Sequence, residues 1–349
     1  MKLSTRFFIL INIVFLAVFS IAKADVSTFA KGFDSPTGLA FHPSDGKLYV
    51  TSGTTGKLWA ISINSGGTAG VVQLQASDFV PNMQIVFDAM GNLYGLGSEY
   101  IYRLNVAGVV EKTKIGGSPL STGITTEIPG LPSNKVFFSH KEKASIDWIY
   151  IDRFSAKSKY HSHSQTSCGM FRFLNYRQKF GDIVGTYDKY LVKIIDGACT
   201  ILLKGFVQPN GIAEDELGNI YVADTGAGTI TQLMPVGKSL VIATGLSSPT
   251  GLAYYPDSRL LFVSETGKGQ ISVIHLDNSS CIQEVTYAKN PITLNWVIFP
   301  TPCDVPTGWL ISSAKPQGFQ QPIEDKCKGC QGASSEVKPS IEFLRTLVK

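Results

Sequence analysis

The chain has 349 residues, 44% of them hydrophobic and 17% charged, with 34 glycines and a formal net charge of +4. That balance is too apolar for a disordered protein and excludes one that binds nucleic acid through bulk charge. Chain length and glycine content fit one large turn-rich β domain.

The first 24 residues read as an export signal. Lys2 and Arg6 precede the apolar run Phe7 to Ile21, and Ala22-Lys23-Ala24 offers a small-x-small cleavage site before Asp25. Cleavage there removes three basic residues and no acids, leaving the mature chain near +1. A secreted or periplasmic protein with no membrane span after cleavage is expected. Cys168, Cys199, Cys281, Cys303, Cys327 and Cys330 all lie beyond the signal, and six cysteines allow three disulfides in any of 15 pairings. Asn278-Ser279-Ser280 is a glycosylation sequon, relevant in a eukaryotic host.

From residue 26 the sequence repeats itself. Ser35-Pro36-Thr37-Gly38-Leu39-Ala40-Phe41 returns as Ser248-Pro249-Thr250-Gly251-Leu252-Ala253-Tyr254 and as Gln208-Pro209-Asn210-Gly211-Ile212-Ala213. Weaker copies begin at Pro81, Ser121 and Cys168, so the glycine or its stand-in falls at 38, 83, 123, 169, 211 and 251. Steps of 40 to 46 residues are blade lengths of a propeller. Within each unit a short strand is followed by a tight turn, such as Asp88-Ala89-Met90-Gly91-Asn92 or Asp215-Glu216-Leu217-Gly218-Asn219. Further short apolar strands follow, typically three. The pattern predicts an all-β, six-bladed β-propeller of four-stranded antiparallel blades over 25–290. A single such sheet buries neither face, and ringing six of them buries both. Two segments compete to complete the last blade: Val26 to Gly32, which closes the ring with an N-terminal strand, and Ile282 to Ala288.

The units Pro209 to Ala213, Gly218 to Asp224 and Pro249 to Ala253 resemble NHL repeats and the wider six-bladed group that includes gluconolactonase and regucalcin-like proteins. The resemblance covers about residues 26–288 and implies the fold more than the function, because the group contains lactonases, phosphotriester-cleaving enzymes, lyases and binding proteins. It implies a ligand ring where the residue before each repeat glycine meets the channel mouth: Thr37, Asn82, Thr122, Cys168, Asn210 and Thr250. The gluconolactonase-like pattern implies a calcium site built from a Glu, an Asn and an Asp of that ring. Asn210 matches, whereas Thr37 and Thr250 stand where the two carboxylates belong. A hard cation needs such charge, so no cofactor is expected, or else a calcium ion on a divergent set.

The second strands end at the same mouth and contribute His140, Asp224 and Glu265. Asn210, Asp224 and Glu265 form the candidate metal set. The competing reading is that Asp224-Thr225 and Glu265-Thr266 bond local backbone groups. His161-Ser162-His163 has metal-compatible spacing but sits in a Ser- and Lys-rich stretch read as a loop, Ser155 to Ser167. Cys168 is read as a small buried thiol, and Cys327-Lys328-Gly329-Cys330 as a local disulfide.

After residue 290 the repeat stops. Seven of 17 prolines fall there, so 291–349 reads as a Pro-rich extension carrying the CxxC. The expected function is an exported, monomeric binding module for a protein, peptide or glycan. The alternatives are a divergent metal-dependent lactonase, esterase or lyase, and a structural envelope protein.

Overall fold

The computed structural model describes residues 24–64, 67–77, 79, 84–97, 99–115, 123–127, 135–140, 145–150, 154, 161–165, 168–169, 171–276, 286–299, 305, 309–312 and 316. Six four-stranded antiparallel sheets form a ring. In chain order their innermost strands are β2 (Pro36–Phe41), β6 (Ile85–Phe87), β10 (Ile124–Thr126), β14 (Phe171–Arg177), β18 (Pro209–Glu214) and β22 (Pro249–Tyr255). Each contacts the next around the channel, and β22 contacts β2. In every blade but the last, the following three strands pair outward in sequence order.

The ring is closed by the N-terminal strand. β1 (Val26–Lys31) pairs antiparallel with β24 (Gln270–His275), Lys31 opposite Gln270 and Val26 opposite Ile274. Phe29 packs edge-on against Phe262 of β23 (Leu260–Glu265), with ring centroids 4.7 Å apart. The competing segment goes elsewhere. β25 (Thr286–Lys289) forms a separate three-stranded sheet with β26 (Trp296–Phe299) and β27 (Leu310–Ser312).

Both faces of a blade are buried because successive residues point to opposite neighbours. On β19 (Ile220–Asp224), Tyr221 and Ala223 join the core shared with blade six, while Ile220 and Val222 join the core shared with blade four. Six apolar clusters result, one in each seam between blades. The repeated Asp-x-x-Gly-Asn-x-Tyr turns share one clamp. Asp215 Oδ1 accepts the N–H groups of Leu217 and Asn219, while its Oδ2 accepts Asn219 Nδ2 and the Tyr221 hydroxyl. Asp88 does the same with Met90, Asn92 and Tyr94. In blade one the Nδ1 of His42 takes the aspartate's place, accepting from Ser44 and Asp45 N–H.

Strand register corrects the repeat alignment in two blades. Leu39 faces Val50, Ile85 faces Gly95, and Leu174 faces Gly185 at equivalent places. The glycine level is therefore Gly38, Gln84, Gly123, Phe173, Gly211 and Gly251, and positions 83 and 169 fall outside it. Turn length and strand length vary between blades, so a step count drifts where the motif is degenerate. His161–Gln165 is also a strand, the outermost of blade three, where a loop was expected. The CxxC lies outside the described residues.

Candidate functional site

At the mouth, where the inner strands begin, the ring residues are stitched together. Asn210 Nδ2 donates to Thr225 Oγ1 at 2.6 Å, and Thr225 Oγ1 donates to the Pro249 carbonyl of the next blade at 2.6 Å. One blade on, Thr250 Oγ1 meets Thr266 Oγ1 at 2.8 Å, and Thr266 donates to the Pro36 carbonyl. Thr37 Oγ1 lies 3.3 Å from Thr51 Oγ1. Ser264 Oγ accepts from Gly251 N–H and donates to the Thr37 carbonyl, crossing the seam that closes the ring. The left-handed backbone of Ser35 and Ser248 (φ 48° and 51°), each just before a proline, sets the entry into both of these strands.

Asp224 and Glu265 end their second strands as expected, but their carboxylates turn to the loops. Asp224 accepts the N–H groups of Val207 and Gln208 at 2.8 Å each, one on each oxygen. Glu265, 1% exposed, accepts Ser272 Oγ, Gln270 Nε2 and Ser247 N–H. Its Oε2 also lies 3.3 Å from Lys268 Nζ. Burial alone raises the pKa of Glu265, but these four donors outweigh it and hold the carboxyl below its ordinary value. Asp224 bonds loop backbone, as the competing sequence reading has it, whereas Glu265 is held by three side chains and one backbone N–H. Asn210 keeps one free ligand atom: its Oδ1 is buried with no hydrogen-bond partner.

These residues do not fit a calcium ion. A calcium site takes six to eight oxygens and draws affinity from carboxylate charge. Here the described set offers one uncommitted amide oxygen beside two carboxylates already satisfied by N–H and O–H donors. Among the described residues no three His, Cys, Asp or Glu side chains cluster as metal ligands.

The remaining sequence candidates are scattered. Asn82 and Thr122 lie outside the described residues. His140 ends β11 (Lys135–His140) opposite Ser145, and its side chain is not among those described. Cys168 is not a thiol: it is bonded to Cys199 of β17 (Ala198–Lys204), with Cα atoms 6.0 Å apart. In blade four the residue level with Thr37 is Arg172, four positions past Cys168.

Open space lies at the opposite end of the channel, towards the turns after the innermost strands. A cavity of about 290 Å3 runs from Gln84 to those turns and is lined by all six inner strands. It adjoins a surface groove of about 430 Å3 that shares Asn175, Tyr176, Gln178, Glu214 and Tyr254. Gln84 closes the inner end. Its Oε1 accepts the N–H groups of Ile124 and Leu174, and its Nε2 donates to the Leu174 carbonyl at 2.6 Å. Glu214 ends β18, and its Oε2 lies 3.4 Å from Asn175 Nδ2. Burial pushes its carboxyl from the ordinary 4.5 up to about 7; Asp215 and Asp182 add to the effect, and Arg177 and Lys179 oppose it. Arg177 is held by Asp182 through two bonds of 2.6 Å. Tyr176 donates its hydroxyl to Glu127 at 3.3 Å. The sequence signal for this cavity was the turn-end residue of each repeat, which the mouth-based reading passed over.

With the fold and both channel ends in view, the chain is a six-bladed β-propeller with the architecture of the gluconolactonase-like group. No family model and no curated protein matches it. Solved structures do. A gluconolactonase from Xanthomonas campestris is 14% identical, with 74% of this chain and 91% of that one covered and a TM-score of 0.54. An auxiliary nutrient binding protein from Bacteroides ovatus is 12% identical over 72% and 76%, TM-score 0.57. A streptogramin B lyase is 13% identical over 72% and 87%, TM-score 0.51. A hydrolase, a binding protein and a lyase on one scaffold establish the fold alone.

Proposed function

We propose that the protein is an exported ligand-binding propeller for a protein, peptide or glycan, working without a bound metal. The observation that carries this reading is the commitment of Asp224 and Glu265 to loop N–H and side-chain donors, which leaves neither carboxylate free to ligate a metal. The turn-end cavity, with aromatic, amide and carboxyl groups converging, supplies a concave surface of the kind small ligands occupy. The nutrient-binding neighbour supports a binding role, and the signal-like first 24 residues together with the Cys168–Cys199 bond support export to an oxidising compartment. Among the described residues no helix is long and apolar enough to cross a membrane.

The test pairs metal analysis of the desalted protein with glycan and peptide arrays run with and without chelator. Chelator-insensitive binding supports the reading. About one calcium ion per chain, lost in an Asn210→Ala, Asp224→Ala double variant together with lactone or ester hydrolysis, overturns it.

A further inference from the structure

We infer that the turn-end cavity of the channel receives the ammonium group of a primary amine, with the Glu214 carboxylate as its counter-ion. The inference rests on the binding reading above and names the ligand chemistry of that cavity. Glu214 is the single charged side chain on the described lining of the 290 Å3 cavity; the rest of that lining is aliphatic, aromatic, amide and hydroxyl. Phe41, Phe87, Tyr176 and Tyr254 lie on the lining in four different blades, with their side chains packed in the seams between blades. A half-buried carboxylate without a close ion pair is costly to keep ionised, and a negative charge on the cavity wall favours an organic cation over an anion.

The neighbouring cations are only partial counter-ions: Arg177 and Lys179 favour the ionised carboxyl, but burial outweighs them. Arg177 is doubly bonded to Asp182 and stacks on Phe180 at 4.3 Å, and Lys179 lies near the same ring. Asp215 spends both oxygens on its turn. Glu214 is left with one long contact, from Asn175. Burial raises its pKa, and an arriving ammonium favours the ionised form, so binding below pH 7 releases a proton. The cavity admits roughly ten waters at about 30 Å3 each, which fits an amine-bearing tip, while the adjoining groove accommodates the body of the ligand. The chemistry is shared by a lysine side chain and an amino sugar.

The experiment is calorimetric titration of the full chain with propylammonium, Nα-acetyl-lysinamide and glucosamine, against propanol and glucose, in buffers of different ionisation enthalpy. The expected result is saturable amine binding, proton release near pH 6 and, for propylammonium and Nα-acetyl-lysinamide, whose amines stay protonated throughout, affinity rising roughly tenfold from pH 6 to 8 as the ionised fraction of a group near 7 grows from about one-tenth to nine-tenths. Glu214→Gln should weaken amine binding and remove its pH dependence. If that variant unfolds, proton release by the unaltered protein carries the test alone. Preference for lysinamide points to a peptide source and preference for glucosamine to a saccharide; either supports the inference. Amine binding that neutral analogues match, or that ignores pH, overturns it. Binding of glucose but of no amine overturns it while leaving the binding reading intact, and failure of every ligand in this panel and on the arrays removes both.

Discussion

Gln84 of blade two reaches across the channel to blade four, where its side-chain amide donates to the Leu174 carbonyl at 2.6 Å and its oxygen accepts the Leu174 N–H. The same oxygen accepts Ile124 N–H of blade three. Inner strands have one unpaired edge, and those edge groups need partners once the channel is dry. Gln84 supplies three of them at once. Gln84→Leu strands three buried polar groups, and the expected loss is about 2–4 kcal/mol, read from urea unfolding midpoints. An unchanged midpoint would show that water replaces the amide.

Glu214 ties stability to pH. Its folded pKa of about 7 lies above the unfolded value near 4.5, so the folded chain holds the proton more tightly. This contribution is fully present below pH 4.5 and is lost as pH rises through 7. The expected size is on the order of 1–3 kcal/mol, discounted for the partial exposure of the carboxyl. Glu214→Gln should flatten the stability profile between pH 5 and 8. A profile that keeps its slope in the variant assigns the proton elsewhere.

Glycines at the repeat position are required by the next blade. A Cβ on Gly251 would strike the Thr37 carbonyl, and one on Gly211 the Thr250 carbonyl, both backbone atoms that cannot swing away. Gly251→Ala is expected to cost on the order of 3 kcal/mol or more. Gly237, with φ +83° and nothing within 4 Å, is the contrast: its alanine variant carries only backbone strain of about 1 kcal/mol. Thermal unfolding of the two variants side by side checks the difference.

The seam between the first and last blades depends on an aromatic pair. Phe29 is 7% exposed and packs on the fully buried Phe262. Phe29→Ala is expected to cost about 3–5 kcal/mol, with amide exchange rising first in β1 and β24. Uniform exchange across all blades would indicate that the ring opens only as a whole.

The Cys168–Cys199 bond spans 31 residues of blade four. Replacing both cysteines with serine is expected to lower stability by about 2–4 kcal/mol. Reducing agent should lower the unfolding temperature of the unaltered chain by more than it lowers that of the double variant.

The blade count and the strand order were legible because Pro-Thr-Gly and Pro-Asn-Gly recur where inner strands crowd together, and Asp-x-x-Gly-Asn-x-Tyr recurs where one carboxylate ties a whole turn. Register was legible only where those residues survive. Gln84 and Phe173 occupy the glycine level in blades two and four, and local pattern cannot reveal a side chain whose partners are 90 residues away. The acids at 224 and 265 were found in the sequence, but the direction of their carboxylates depends on the loops at 207 and 247 that they hold. The place of Glu214 at the turn end of its repeat was readable, but its environment is assembled from six separate strands and was not.

The pairing of Lys31 with Gln270 sets an order of events. The first strand of the ring to be made is the one whose partner is the last propeller strand to be made. Five blades can be complete while the sixth still lacks its outer strand and the first lacks a neighbour. During that interval the faces bearing Phe262 and Leu48 are open to solvent, which favours association between unfinished chains. A chain truncated before residue 270 keeps its N-terminal strand without a place to put it, and the two faces of its one open seam match those of a second such chain.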